Sequence, residues 1–136
     1  MDYFLDDNNC INRLIEDYIK HGDLIIALDF DNTIFDFHNK GLNFDCVINL
    51  LKECNNLNLS IVIYTANSDH DLIYKYCDNI GLKIKGINKN LLKEFDNSGK
   101  MYYNILIDDR AGLSSSYKIL KKTIEEMVKW KQMQCY

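Results

Sequence analysis

Carboxylate and hydroxyl side chains directly follow three apolar runs of the sequence, and their types suit a metal ion and a phosphate group. Asp29 and Asp31 come after the first run, Thr65 after the second, and Asp108 and Asp109 after the third. Four carboxylates brought to one place would repel one another unless a cation lay among them. Oxygen ligands suit Mg²⁺, which shares its remaining positions with substrate phosphate. We therefore expect a Mg²⁺ site where the Thr65 hydroxyl and a nearby lysine contact phosphate.

The apolar runs themselves predict the strands that would position these residues. LIIAL (24–28), LSIVIY (59–64) and the run inside YYNILIDDRAG (102–112) are continuous and too short for helices. Such runs are typical of parallel strands covered on both faces. LKIKGI (82–87) alternates between apolar and polar residues and predicts a weaker edge strand.

Apolar residues at helical spacing predict four helices between and around these strands. The first covers residues 8–21, the second lies around 47–54, the third runs from about 68 to 81, and the fourth begins near Ser115. Strands that alternate with helices indicate a three-layer α/β/α sandwich around a mostly parallel, Rossmann-like sheet. Ligands of such sheets bind outside the carboxyl ends of the strands, where the acidic residues would lie.

The length of 136 residues and the 47% hydrophobic content fit one domain with a single core. We expect a single domain over residues 1–136, made of an N-terminal helix (1–22), a catalytic core (23–112) and a C-terminal helix (113–136).

Charge is unevenly distributed along the chain, although the net charge is only −4. Residues 1–80 hold 5 basic and 14 acidic side chains, whereas residues 81–136 hold 11 basic and 6 acidic ones. Solvated helix faces account for this asymmetry, and a basic binding face on the C-terminal half is the alternative. The acidic balance argues mildly against a dedicated nucleic-acid-binding module.

Cysteine usage indicates free thiols in a reducing cytoplasm. The five cysteines are odd in number and show no C-x-x-C spacing, and no signal peptide or long apolar span is present. We therefore expect a cytoplasmic protein without membrane association. Cys10, Cys46, Cys54 and Cys77 are predicted to fill the core, whereas Cys135 lies too near the end for confident burial.

Three motifs together resemble a known enzyme family. DFDNT (29–33), IVIYTAN (61–67) and NILIDDR (104–110) are similar to the first, second and fourth signature motifs of the haloacid dehalogenase (HAD) superfamily of phosphotransferases. They occur in the family's order, each after its own apolar strand. The closest resemblance is to small HAD proteins without a cap domain, and the DDR ending also resembles the deoxyribonucleotidase and polynucleotide 3'-phosphatase branches.

The resemblance implies a Mg²⁺-dependent phosphomonoester hydrolase that works through an aspartyl-phosphate. Asp29 would be the nucleophile, and Asp31 the general acid and then the general base. Asp29, the backbone carbonyl of Asp31 and Asp108 would hold Mg²⁺, with Asp109 as a direct or water-mediated ligand. Thr65 would donate a hydrogen bond to the phosphoryl group.

The sequence leaves alternatives for the remaining substrate contacts. Lys100 is the best candidate for the family's phosphate-binding lysine because it stands shortly before the last strand, and Lys89 and Lys93 are the alternatives. Asn67 and Arg110 lie at the same edge as candidates for substrate contact. For Arg110 we favour an ion pair with the carboxylates.

Isolated histidines and aromatic residues are expected to serve structure. His21, His38 and His70 show no ligand spacing, so surface or capping positions are predicted. Packing in the core or over the loop is favoured over lining a substrate site for four aromatic residues: Phe35, Phe37, Phe44 and Trp130.

Three rival interpretations fit the residues less well. A calcium loop starting at Asp29 would need Gly at its sixth and Glu at its twelfth position, where Ile34 and Lys40 stand. A phosphorylation-receiver module would place its acidic pair on the first strand and its lysine after the last, which is not the order here. A catalytically idle HAD-like module that binds phosphate or Mg²⁺ is the remaining alternative.

No insertion large enough for a cap domain is present. A loop and one helix fill the segment between Asp31 and Thr65, and a helix, a strand and the lysine segment fill the next interval. An open site excludes water poorly, so we expect either a large substrate that covers it or a second subunit, in a homo-oligomer, as a lid. Nucleotides, polynucleotide 3'-phosphate ends, sugar phosphates and phosphoproteins are the candidate substrates.

Overall fold

The computed structural model describes residues 1–135, and the three strong apolar runs form its sheet. The strands are β1 (Ile25–Leu28), β2 (Ser60–Ile63) and β3 (Ile105–Ile107). They are all parallel and lie in the order β2-β1-β3, with β1 in the centre. Every residue of β1 and β2 is buried, as expected for strands covered on both faces.

Four α-helices surround this sheet within the described residues, so the helices expected from sequence are confirmed. Their ends follow local capping chemistry. The Asp6 carboxylate accepts a hydrogen bond from the first turn of one helix, and Asp69 does the same for another, while Gly22 and Gly81 end these two helices with left-handed backbones. The helices are α1 (Asp7–His21), α2 (Asp45–Asn56), α3 (His70–Ile80) and α4 (Leu113–Gln134). Tyr136, the last residue of the predicted C-terminal helix, lies outside the described residues.

One hydrophobic core joins the helices to the sheet. The fully buried side chains include Leu14 of α1, Leu51 of α2, Ile73 of α3 and Leu120 of α4, and all belong to the same cluster as the strand residues. Helix α4 packs against α1, α2 and β3. This mixed α/β arrangement, an open three-stranded parallel sheet with four helices, is compatible with a three-layer α/β/α fold.

Strand register brings the carboxyl ends of the strands to one level. Leu28 is paired with both Ile63 and Ile107 across the sheet. The ladder continues one step further, because the Tyr64 N–H donates to the Leu28 carbonyl at 2.8 Å and the Asp29 N–H donates to the Ile107 carbonyl at 2.9 Å. The residues that follow the three strands therefore meet at a common edge.

The predicted edge strand at residues 82–87 is wrong as a full strand. The segment contributes only an isolated parallel bridge between Ile87 and Ile63. It still runs beside β2, since the Lys85 N–H donates to the Ile61 carbonyl at 2.8 Å and the Ile63 N–H donates to the Gly86 carbonyl at 3.0 Å. A half-exposed segment with a partner on one side only gains too little packing to extend further.

All five cysteines are free thiols, but only two of the four predicted core positions are confirmed. Cys54 and Cys77 are buried, and burial raises the pKa of these thiols to about 12 and about 11. Cys10 is half-buried, and the prediction for Cys46 is wrong because it lies on the solvent-facing side of α2.

Within residues 1–135, no helix combines the length and the apolar character that crossing a membrane would require.

Candidate active site

Three carboxylates converge at the carboxyl edge of the sheet. Asp29 follows β1, and Asp108 and Asp109 follow β3. One oxygen from each lies within 4.8 Å of the others, so the three groups can act together on one ligand. Sequence analysis predicted that four carboxylates meet here. Three of them do, because β1 pairs in parallel with β3, but the prediction is wrong for Asp31, which is not part of the cluster.

Thr33 links the two strands' acids, a role that the sequence analysis missed. Its side chain is fully buried, and its hydroxyl oxygen lies 3.0 Å from Asp29 Oδ2 and 3.3 Å from Asp109 Oδ1. The same oxygen accepts a hydrogen bond from the Asp109 N–H at 3.0 Å. The turn after β1 aims Thr33 inward, with Asn32 in a left-handed conformation (φ 62°). The last position of the D-x-D-x-T pattern was the signal that could have revealed it.

The environment of Asp29 disfavours its ionised form, first through burial and then through the neighbouring acids. Burial, the contact with Asp109 and the charge of Asp108 together raise the pKa of Asp29 from its ordinary 3.8 to about 7. Hydrogen bonds from Thr33 and from the Phe30 backbone oppose this shift without cancelling it. A positive charge close to these oxygens would lower the pKa of Asp29 and favour its ionised form at neutral pH.

Asp31 stands apart from the three clustered carboxylates. It is half-buried on the turn after β1, and its Oδ1 accepts a hydrogen bond from the Asn67 side-chain amide at 3.1 Å. Asn67 is thereby placed beside a predicted catalytic residue. Asp31 lines the same cavity as Asp29, which suits a separate role in proton transfer.

Thr65 is held in place by a residue that the sequence analysis did not identify. The Asn88 side chain accepts from the Thr65 N–H at 2.9 Å and donates to the Thr65 carbonyl at 2.8 Å. The Thr65 hydroxyl oxygen accepts from the Asn67 N–H at 3.0 Å, which leaves the hydroxyl proton available to a ligand. Asn88 is the first residue after the 82–87 segment, so that segment positions Thr65.

An open cavity of about 660 Å³ contains the predicted acids, Thr65 and Arg110. Phe37 and His38 also line it. Phe37 is exposed and does not pack in the core, and His38 lies at the surface as predicted, beside the acids. The lining is completed by three further residues that had not been predicted: Asn32, Tyr64 and Ala66. The other aromatic residues do pack elsewhere as expected: Phe35 stacks on Phe30, Phe44 packs on the core, and Trp130 contacts Tyr18.

Arg110 does not form the expected ion pair within residues 1–135, where the salt bridges involve only Lys122 and Lys129 with glutamates of α4. Its backbone N–H donates to Asp108 Oδ1 at 2.9 Å, and its exposed side chain borders the cavity. The guanidinium is therefore free to contact a ligand, which had been the less favoured alternative.

The three candidate lysines do not line the cavity of the acids. Lys100 instead borders an adjoining cavity of about 300 Å³, which shares Tyr64 with the first one. Its ammonium nitrogen lies 5.9 Å from the centre of the Tyr103 ring. Lys89 and Lys93 are exposed on the same connection.

The donor set fits a hard divalent cation. All three clustered groups offer carboxylate oxygens, and nitrogen or sulfur ligands are not among them. Burial, the contact with Asp109 and the charge of Asp108 raise the pKa of Asp29, and a cation among these oxygens would favour its ionised form. Mg²⁺ prefers such oxygen ligands, with one or two carboxylates and several waters.

Comparisons with known proteins support the fold. A conserved protein of Bacteroides thetaiotaomicron of known structure is 23% identical and superposes with a TM-score of 0.59 over 74% of this chain and 91% of its own length. At this identity the likeness concerns the fold alone. The chain matches no protein-family model and no curated protein.

Proposed function

We propose that the chain is a cytoplasmic, Mg²⁺-dependent phosphomonoester hydrolase of the HAD type that works through an aspartyl-phosphate on Asp29. The observation that carries the proposal is the convergence of Asp29, Asp108 and Asp109 within 4.8 Å. The cavity of these acids also holds Asp31 and Thr65, the two other residues that the motifs require.

Asp29, Asp108 and Asp109, with the backbone carbonyl of Asp31, would hold the Mg²⁺ ion. When bound, the ion would neutralise the clustered carboxylates and the negative charge of the substrate phosphate. Thr33 fixes the mutual position of Asp29 and Asp109 through its buried hydroxyl.

In the first step, a carboxylate oxygen of Asp29 attacks phosphorus and the bond to the ester oxygen breaks. Asp31, protonated at this stage, gives its proton to the leaving oxygen, so an alcohol departs. In the second step, Asp31 takes a proton from water while the water oxygen attacks the phosphoryl group. Inorganic phosphate leaves, the Asp29 carboxylate is restored, and Asp31 is protonated again.

The phosphate oxygens would be bound by neutral and cationic groups around the acids. Thr65 offers its hydroxyl proton, and Arg110 offers a guanidinium at the border of the cavity. Asn67, through its contact with Asp31, orients the acid rather than the phosphate. Lys100 would contact phosphate only by reaching across from the adjoining cavity.

A catalytically idle module that binds Mg²⁺ and phosphate is the second candidate. The observation in its favour is that none of the three candidate lysines lines the cavity of the acids. Without a lysine, less positive charge would face the phosphoryl group as it is transferred.

Phosphate release from a panel of substrates, measured with Mg²⁺ and with EDTA, tests the proposal. The panel spans an aryl phosphate, nucleotides, sugar phosphates and a 3'-phosphorylated oligonucleotide, and we expect turnover that requires the metal. Turnover that persists in EDTA would contradict it, as would a lack of turnover with every divalent ion.

Thermal melts of the wild type and of Asp108→Asn, combined with the turnover assay, separate the enzyme from the idle module. Both candidate functions predict that Mg²⁺ stabilises the wild type and raises its melting temperature. At a Mg²⁺ concentration of one hundred times the dissociation constant, the stabilisation should be about 2.7 kcal/mol. Asp108→Asn should gain much less. A normal metal shift in the wild type without turnover on any substrate would favour the idle module.

A further inference from the structure

Two exposed aromatic rings share the cavity of the acids. Tyr64 is 46% exposed and Phe37 is 53% exposed, and both line that cavity. Exposed apolar surface beside a polar site is a usual mark of ligand binding. The proposed phosphate mechanism uses neither ring, so both rings are available to contact a part of the ligand other than its phosphate.

Both rings are presented by ordered backbone. Tyr64 is fixed at the end of β2, where its N–H donates to the Leu28 carbonyl at 2.8 Å. Phe37 belongs to a loop that the Asp36 carboxylate organises by accepting three backbone N–H groups, from Lys40, Gly41 and Leu42 at 3.1, 2.7 and 3.1 Å. The rings therefore offer planar surfaces at little cost in conformational entropy.

The space available is larger than a phosphate group needs. The main cavity of about 660 Å³ lies in the range of sites that enclose whole ligands. Tyr64 also borders the adjoining cavity of about 300 Å³, where Asn90 is among the lining residues. Side-chain amides can both donate to and accept from the edge of a heterocyclic base.

We infer that the leaving group of the substrate is a nucleoside, and that its base stacks on Tyr64. This substrate class deepens the proposed hydrolase function and rests on it. Aromatic side chains bind bases of any sequence by stacking, and amides then contact the base edge. The nucleoside can come from a free nucleotide or from the phosphorylated end of an oligonucleotide, which share this chemistry.

A nucleoside 5'-monophosphate and ribose 5-phosphate provide the test, because they differ only in the base. We expect the wild type to show a kcat/KM at least about tenfold higher for the nucleotide, as stacking of one base allows. Tyr64→Ala should reduce this preference to near one, whereas Tyr64→Phe keeps the ring and should retain it. Tyr74→Ala is the matched control, since Tyr74 is 47% exposed and lies on α3 away from the acids. It should leave the preference unchanged.

A 3'-phosphorylated oligonucleotide in the same assay separates the two sources of the nucleoside. A kcat/KM above that of the mononucleotide assigns the oligonucleotide end, and a lower value assigns the free nucleotide. Equal values of kcat/KM for nucleotide and ribose phosphate in the wild type would overturn the inference. So would a preference that survives in Tyr64→Ala.

Calorimetric binding to Asp29→Asn keeps this question separate from turnover. The variant lacks the nucleophile, so the affinities of the nucleoside monophosphate and of ribose 5-phosphate can be compared directly. If the wild type hydrolyses no phosphomonoester, the proposed function fails. A base preference in binding that is lost when Tyr64→Ala is added would still uphold the base site, and equal affinities would overturn it.

Discussion

Polar side chains at the two edges of the sheet have different kinds of partner. At the amino edge, the Asn104 side chain accepts from the Ile25 N–H at 2.7 Å and donates to Asp17 at 3.1 Å, while Arg13 donates to the Asn104 carbonyl at 2.9 Å. Asp23 there accepts two hydrogen bonds from Ser60, at 3.0 and 2.6 Å. Each polar group has a partner of suitable chemistry within the protein.

At the carboxyl edge, acids face acids. Asp29, Asp108 and Asp109 offer oxygens to one point, and burial, the contact with Asp109 and the charge of Asp108 raise the pKa of Asp29 to about 7. The amino edge pairs its polar groups internally, whereas among residues 1–135 no basic side chain forms a salt bridge with the acids of the carboxyl edge. Ligand sites of parallel α/β sheets lie at the carboxyl edge in general.

Asp29→Asn should have the largest effect on turnover, and it tests the difference between the two edges most directly. Turnover should fall by a factor on the order of 10⁴ or more because no nucleophile remains. In EDTA the variant should melt no lower than the wild type, since the substitution removes one of three crowded carboxylates. A variant that melts well below the wild type would show that Asp29 serves stability, as the amino edge does.

Asp31→Asn should cost roughly 10² to 10⁴ in rate, because the nucleophile stays and the proton transfer is lost. The loss should be greater for alkyl phosphates than for an aryl phosphate, whose leaving oxygen needs less protonation. Kinetics of both substrates with both proteins measure this. Equal losses would remove Asp31 from the role of acid and leave it as a partner of Asn67.

Asn104→Ala tests the amino edge and should affect stability instead of chemistry. The Ile25 N–H would lose its side-chain acceptor in a buried setting, which costs roughly 1–3 kcal/mol of unfolding free energy. Activity per folded molecule should be kept. Urea unfolding measures the cost, with Asn49→Ala on the exposed side of α2 as the control. A variant with unchanged stability and a lower kcat would show that the amino edge serves activity, contrary to this prediction.

Asn88→Gly should lower kcat/KM by about tenfold, since Thr65 loses two backbone contacts and its hydroxyl becomes less well positioned. Glycine is chosen because Asn88 has a left-handed backbone (φ 52°). Asn58→Gly is matched in conformation (φ 59°) and lies in the turn before β2, so it should leave kcat/KM unchanged. Equal effects of the two substitutions would mean that Asn88 acts only through stability.

The sequence was sufficient for the elements whose burial is continuous and whose ends are capped. β1 and β2 are uninterrupted apolar runs, and Gly22 and Gly81 end their helices at the predicted positions. The extent of strand structure in the 82–87 segment was overestimated, because alternation alone does not reveal that the segment pairs only with β2.

Within the site, sequence order was enough to bring the acids together, because parallel strands place their carboxyl ends at one edge. It was not enough for contacts between distant loops. Asn88 contacts Thr65, and Phe37 lines the cavity of the acids, through turns that carry no periodic pattern. The lysine could not be chosen for the same reason, since Lys89, Lys93 and Lys100 share one irregular connection.

The smallest predicted effect is a pH dependence of stability that arises at the carboxyl edge alone. The pKa of Asp29 is raised from 3.8 to about 7 by burial, Asp109 and Asp108. Between these two values the folded chain holds a proton that the unfolded chain has released, so this group makes the fold less stable as pH rises from about 4 to 7. Solvent reaches the half-buried carboxyl group and screens the neighbouring charges, so the total loss of stability should be smaller than the full shift in pKa would give.

Urea unfolding of the wild type and Asp29→Asn in EDTA, at several pH values from 4 to 8, isolates this contribution. The stability of the wild type relative to the variant should decline across the window and level off above pH 7, because both states are then ionised. Added Mg²⁺ competes with the proton for the same oxygens and should weaken or reverse the decline. Asn104 does not titrate, so Asn104→Ala should run parallel to the wild type at every pH. A wild type that gains stability relative to Asp29→Asn as pH rises would show that the acids at this edge are balanced by the protein itself, and the contrast between the two edges would be lost.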